Sequence, residues 1–174
     1  ENLVYKEGAG FKIAMFCLYQ GRYTVAAGSC GLIKACGDAC VKYSKERQTF
    51  GVNIEQHQLV KQMIANMEAG YEYSTYLWMK AGWLKNQGKR STRATSLAKW
   101  IACREAEASA ANAVQVHGAY GFSDEYPVER FYRNSKGASI YEGTREVHTL
   151  MQADYALGFR FDKDLERDLP VVEQ

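Results

Sequence analysis

Three histidines, at 57, 117 and 148, and five cysteines, at 17, 30, 36, 40 and 103, are where metal or nucleophilic chemistry would start in this 174-residue chain. A di-iron centre in a helical bundle needs a Glu-x-x-His pair on each of two helices, so that both ligands project inward one turn apart. Here Glu55 and His57 are two apart, as are Glu146 and His148, and that spacing turns helical side chains away from each other. The cysteines form no C-x-x-C. Cys36 and Cys40, four apart, read as small apolar packing on a helix, no histidine stands at metal-site spacing from them, and an odd total fits reduced thiols better than a disulfide framework. No serine or cysteine sits in a nucleophile elbow, and Gly8-Ala9-Gly10 lacks both the third glycine and the preceding strand of a dinucleotide loop. No metal site is expected. Two polar residues remain, each with an ordinary reading of its own: Glu142 before Gly143 is an acid in the turn that starts a helix, near the positive end of its dipole, and Arg47 is a solvated charge at a helix end.

The elements that position these residues read as helices. Only two prolines occur, Pro127 and Pro170, and the alanine-rich segments between them and the N-terminus favour long uninterrupted helices over strands. From Phe11 to about Tyr43 the apolar residues Ile13, Cys17, Val25, Leu32, Cys36, Ala39 and Tyr43 recur mostly at spacings of three, four and seven. A loop, RQTFGVNIEQ, turns the chain at Gly51. A second helix follows with Leu59, Met63, Ile64, Met67, Tyr71, Trp78, Ala81 and Leu84 on its stripe and Gly88 as its stop. Ser91 or Thr92 caps a third, carrying Ala94, Leu97, Ala98, Ile101, Ala102, Ser109, Ala113 and Val116 until Gly118 and Gly121 break it. A short helix covers about Val128 to Lys136 after Pro127, and a last one runs from about Thr144 to Leu157. The expectation is all-α: an up-and-down four-helix-type bundle of three long helices plus shorter C-terminal ones, with a loosely held tail from Arg160 to Gln174.

With 22 Lys+Arg against 20 Asp+Glu and 47% hydrophobic residues, the chain has material for one sizeable core. Its near-balanced charge gives no compositional argument for nucleic acid. No run of 18 apolar residues and no signal-peptide pattern is present, so neither membrane insertion nor export is expected, and the chain reads as intracellular.

Residues 115–158, QVHGAYGFSDEYPVERFYRNSKGASIYEGTREVHTLMQADYALG, combine Q-V-x-G-x-x-G-F, E-Y-P-V-E-R, R-N-x-K and I-Y-E-G-T. In this order and spacing they closely resemble the C-terminal signature of the acyl-CoA dehydrogenases. Upstream, GFKIAM at 10–15, ERQTFG at 46–51 and E-x-H-Q-L at 55–59 match as well, and T-R-E-V-H is similar to the glutaryl-CoA dehydrogenase branch. The resemblance implies a C-terminal helical bundle, residues 1–174, without the N-terminal helical and middle β-barrel domains of such a subunit.

It also implies an activity: FAD-dependent oxidation of an acyl-CoA thioester to the trans-2-enoyl-CoA, by loss of a proton from the α-carbon and a hydride from the β-carbon. A carboxylate in a dry pocket can serve as the base for such a proton. The family's base falls on Glu142, whose backbone N–H would help polarise the thioester carbonyl, and Gly143 would permit close approach of the substrate. Some branches place the base on the first helix, at the position of Gly21, which has no side chain to serve. Arg22 and Tyr19 fall at substrate-binding positions, Tyr19 replacing a frequent Asp. Flavin contacts fall on Arg47, Gln48 and Thr49; on His57 and Gln58; on Gln115, Val116, His117, Gly118 and Ala119; and on Thr144, Arg145 and Glu146. Arg47 suits a pyrophosphate by its permanent charge and bidentate fork, and the Arg47-type and Gln115-type contacts reach the flavin of a neighbouring subunit. Two departures stand out: Ala119 replaces a glycine, so its methyl would crowd the flavin, and Glu146 replaces an amide, so its charge would repel phosphate at close approach.

Partners implied are an acyl-CoA, an electron-transfer flavoprotein as electron acceptor, and further copies of the subunit in a dimer or a dimer of dimers, in a bacterial cytoplasm or a mitochondrial matrix. An acyl-CoA oxidase shares the fold. The 174-residue chain by itself is expected to be a non-catalytic, self-associating helical module that binds FAD weakly.

Overall fold

In the computed structural model, which describes residue 3 and residues 5–162, α1 spans Gly10–Glu46, about 55 Å at 1.5 Å per residue. It ends at Arg47, and the chain reverses through a two-stranded hairpin, β1 (Gln48–Thr49) and β2 (Val52–Asn53), with Gln48 opposite Asn53. Phe50 and Gly51 make its tip in left-handed conformations, φ 53° and 77°. A 3-10 turn over Ile54–Gln56 leads into α2 (Gln58–Asn86). Gly88, at φ 68°, closes that helix, and α3 (Thr92–His117) returns to a second 3-10 turn, Gly118–Phe122. Two short helices finish the bundle, α4 (Val128–Ala138) and α5 (Arg145–Ala156).

The helix at the centre is α3, which packs on α1, α2, α4 and α5. Small side chains allow this. Ala98, Ala102, Ala106, Ala110 and Ala113 are fully buried along one face, so neighbouring backbones approach closely and the larger residues of the partners fill the seam. One end of the core joins Ala26 and Cys30 of α1 to Ala98 and Ala102, roofed by Leu77 and Trp78. The other gathers Cys36, Cys40 and Tyr43 with Ile54, Met67, Ala110, Ala113, Val116 and Val128. Cys36 and Cys40 are free, buried thiols, each pushed up to about 12 by burial.

The all-α bundle and its helix order stand as read from the periodicity, with three differences. The loop after α1 contains the short hairpin. The buried stripes are shifted: α1 buries Ala26, Ser29, Cys30, Ile33, Cys36 and Cys40, whereas Cys17 is exposed and Leu59 of α2 is 73% exposed. Ser91 occupies the N-cap of α3 without capping it by its side chain; its hydroxyl is hydrogen-bonded to the Tyr19 hydroxyl instead, and its N–H donates to the same oxygen at 3.3 Å. Of the tail expected to be loose, residues 163–174 lie outside the described residues. Within 160–162, Asp162 accepts from the Arg93 N–H at 3.3 Å and from the Tyr155 hydroxyl at 2.7 Å.

Candidate active site

Between α4 and α5 the chain makes a compact turn. The N–H groups of Ile140 and Tyr141 both donate to the Gly137 carbonyl, and the Arg145 N–H reaches back to Ser139 at 3.2 Å. Thr144 then caps α5 by accepting from the Val147 N–H at 3.4 Å. Inside this turn two successive residues are left-handed, Glu142 at φ 58° and Gly143 at φ 97°. Glycine adopts that region freely, but glutamate does so at a cost of roughly 1–3 kcal/mol, sustained only where surrounding contacts over-determine the backbone.

Those contacts come from three helices. Arg22 of α1 donates from Nε to the Glu142 carbonyl at 3.2 Å. Lys99 of α3, buried, donates from Nζ to the Gly143 carbonyl at 2.7 Å. His148 of α5, fully buried, is hydrogen-bonded through Nδ1 to Ser96 Oγ at 2.8 Å, and its Nε2 packs against Gly143, where a Cβ would stand 2.9 Å away. Consequently the backbone under Glu142 is gripped while its side chain is left open. The carboxyl lies directly over Gly21, where an added methyl would overlap it. Its Oε2 is buried with no hydrogen-bond partner, and the Glu142 N–H is taken up by no acceptor among the described residues.

Charge around the turn is positive. Burial lowers the pKa of Arg22, and nearby Glu142 partly offsets this. Burial also lowers that of Lys99. His148 is driven down to about 4, first by burial and then by the Lys99 and Arg22 cations, so its ring is neutral at neutral pH. Beside the turn, Tyr141 and Ala138 face Thr24, Val25 and Gly28 of α1 across an open groove of about 370 Å³. Tyr19 stands off to the start of α3, with Lys85 over its ring at 5.0 Å.

The flavin candidates divide into two groups. Thr144, Arg145 and Glu146 flank the turn, and Glu146 is paired with Arg145 at 3.1 Å, which counters the repulsion expected of an acid there. The other group lies at the far end of α3, where Lys99 and His117 are separated by roughly 27 Å of helix. There Arg47 is exposed and its guanidinium lies 5.7 Å over the Tyr120 ring, while Thr49 Oγ1 and His57 Nε2 are hydrogen-bonded at 2.8 Å. Gln58, Gln115, Gly118 and Ala119 are exposed alongside. The Ala119 methyl is therefore uncrowded among the described residues. Val116 and His117 are buried: the His117 ring stacks on Tyr43 at 4.2 Å and donates from Nδ1 to the Ala113 carbonyl at 2.8 Å. Their side chains hold the bundle, and the His117 carbonyl itself accepts from the Tyr43 hydroxyl at 3.4 Å.

Reading by motif missed Lys99 and Ser96 and the seating of the Glu142 carboxyl over Gly21. A signal for Lys99 exists: it stands one residue from Ala98 and three from Ala102, a lysine inside an alanine stripe.

The sequence profile of the acyl-CoA dehydrogenase C-terminal domain matches residues 8–157. The chain belongs to the acyl-CoA dehydrogenase family. An acyl-CoA dehydrogenase of Bacillus subtilis is 40% identical over 157 residues, 90% of this chain and 41% of that protein. Among solved structures, a chain from work on the electron transferring flavoprotein of Acidaminococcus fermentans superposes with a TM-score of 0.87 at 43% identity, covering 90% of this chain and 41% of that one. Glutaryl-coenzyme A dehydrogenase in complex with glutaryl-CoA superposes at 0.89 and 35% identity, covering 94% and 42%. The chain thus spans about two-fifths of the length of these acyl-CoA dehydrogenase relatives. No helix of the described residues is long and apolar enough to cross a membrane.

Proposed function

We propose that this chain is the C-terminal bundle of an FAD-dependent acyl-CoA dehydrogenase subunit, and that Glu142 is the base that removes the α-proton of an acyl-CoA thioester. The observation that carries this reading is the Glu142 carboxylate itself: its backbone is fixed in a costly conformation by Arg22 and Lys99, yet its Oε2 is buried without a donor. A structural carboxylate at such a place would be paired. A base must keep a lone pair free for the proton it takes.

Proton transfer to Glu142 leaves negative charge on the thioester oxygen. The Glu142 N–H, taken up by no acceptor among the described residues, is a donor this chain offers to that developing charge. Arg22, beside the turn, adds a positive field, and the groove along α1 accommodates an apolar acyl chain.

The residues fit the phosphate-bearing part of FAD. Arg47 presents an exposed guanidinium, and Gly118, at φ 61°, has open space where a side chain would stand, so a planar or anionic group can approach the backbone. Arg47, Thr49, His57, Gln115 and Gly118 would hold it at one end of the bundle, with Thr144 and Arg145 near the base at the other. When bound, FAD supplies the acceptor for the hydride that leaves the β-carbon. The roughly 27 Å of α3 between Lys99, beside the base, and His117, beside the Arg47 group, supports a flavin site shared between subunits. Electron-transfer flavoprotein is the proposed onward acceptor; the structural likeness to a chain from electron transferring flavoprotein work supports it.

Two variants of the full subunit test the reading. Glu142→Gln keeps the shape and removes the proton acceptor; turnover of an acyl-CoA panel with an artificial electron acceptor is expected to fall by roughly 10²–10⁴-fold with flavin retained. Gly21→Ala removes a helix-interior glycine, which ordinarily stabilises by roughly 0.5–1 kcal/mol, while displacing the flexible carboxyl that lies over it. Its expected signature is an unchanged or higher melting temperature with reduced turnover. Full activity of Glu142→Gln places the base elsewhere.

A further inference from the structure

Lys99 is a cation that packing does not require. It is 1% exposed, on a helix face whose neighbours Thr95, Ala98 and Ala102 are small, and a buried ammonium is costly unless its contacts compensate. Among the described residues no carboxylate forms a salt bridge with it. Its hydrogen bond goes to one acceptor, the Gly143 carbonyl at 2.7 Å. That carbonyl closes the left-handed pair Glu142–Gly143, and the carbonyl before it is held by Arg22 from α1. Two consecutive carbonyls are therefore each gripped by a cation from a different helix. A two-residue left-handed turn containing a glutamate needs such over-determination.

We propose that Lys99 is a positioning residue for the base: by holding the Gly143 carbonyl it sets the backbone turn that places the Glu142 carboxylate over Gly21. This rests on Glu142 being the base. Removing the ammonium frees the Gly143 peptide to rotate, which moves the carboxylate without removing it, and displacements of about 1 Å cost roughly a hundredfold in rate.

The test uses the flavin-loaded full subunit carrying Lys99→Met, an unbranched apolar side chain of similar reach. The expected result is a kcat lower by roughly a hundredfold, with KM within about twofold of wild type, because groove and flavin contacts are untouched. Exchange of the substrate α-hydrogen with deuterated water, followed without an electron acceptor, falls in parallel. Flavin content and melting temperature stay near wild type, and Lys99→Arg, which keeps a donor, recovers part of kcat. Wild-type kcat and exchange in Lys99→Met overturn the proposal, as does a loss that merely follows lost flavin or stability. Should Lys99→Met fail to fold, Lys99→Gln is read by the same outcomes; failure of both to fold makes Lys99 a structural residue and overturns it. Glu142→Gln run beside them separates the two readings: if it is inactive while Lys99→Met is fully active, only the positioning role is lost, and if it is active the base assignment itself is wrong.

Discussion

At the scale of single residues the site is built from groups kept in unfavourable states, and His148 shows how that couples to stability. Its pKa falls from 6.5 to about 4 through burial, with Lys99 and Arg22 adding repulsion. The folded-state value is below the unfolded one, so between these two values the unfolded chain binds more protons. Stability from the neutral ring is fully present above pH 6.5, is lost as pH falls towards 4, and changes no further below that. The full span corresponds to roughly 3 kcal/mol. Burial lowers His117 in the same direction. Urea unfolding followed from pH 7 to pH 4.5 is expected to show a falling midpoint, with a shallower slope in His148→Gln, where the His117 contribution remains. Equal slopes in the two proteins would count against a buried neutral His148. The resemblance carried by I-Y-E-G-T pointed to Glu142 and Gly143; for Lys99 the sequence offered only a lysine inside an alanine stripe and for Ser96 no signal, because their contacts depend on where α3 passes the turn, 44 residues away from Gly143 in the case of Lys99.

Among the elements, α3 does most to set the architecture, and its alanine face explains why the fold was largely readable from period alone. Buried alanines at 98, 102, 106, 110 and 113 repeat at helical spacing and tolerate close neighbours on several sides. What period alone misplaced was the exact stripe on α1 and α2. Cys17 and Leu59 are apolar and in register with the chosen faces, yet both lie near helix starts and are exposed among the described residues. The hairpin at 48–53 escaped for a different reason: two-residue strands are too short to show alternation. The seam itself makes a prediction. Ala102 is fully buried against Ala26, Cys30, Leu77 and Trp78, so Ala102→Leu inserts volume where α1, α2 and α3 converge. It is expected to destabilise the chain by roughly 1–3 kcal/mol in chemical denaturation, whereas leucine at exposed Ala111 is expected to change little.

For the molecule as a whole, the distribution of exposed apolar side chains argues that this bundle is not a finished surface. Phe11, Phe16, Met79, Trp83 and Phe122 are all exposed, Phe122 by 89%, and scattered single residues are ordinary but so many large ones on the rods of α1 and α2 and at the end of α3 are not. The candidate site has the same character: the Arg47 and Glu142 groups sit at opposite ends of α3, too far apart to be one pocket of one chain. The 174-residue chain alone is therefore expected to self-associate, with light scattering giving a mass that rises with protein concentration. Salt distinguishes the cause. Raising ionic strength shortens the screening length to roughly 3 Å at 1 M and weakens exposed ion pairs, but leaves apolar contacts intact, so the assembly should persist or grow. The same reasoning limits the cofactor. The chain offers an exposed polar fringe rather than an enclosing cavity, and cofactors are usually held by sites that bury most of their surface, so the purified chain is expected to be colourless. A strictly monomeric profile at working concentration would remove the argument from exposed apolar surface, and stoichiometric FAD in the purified chain would show that one bundle, or several together, already complete the site.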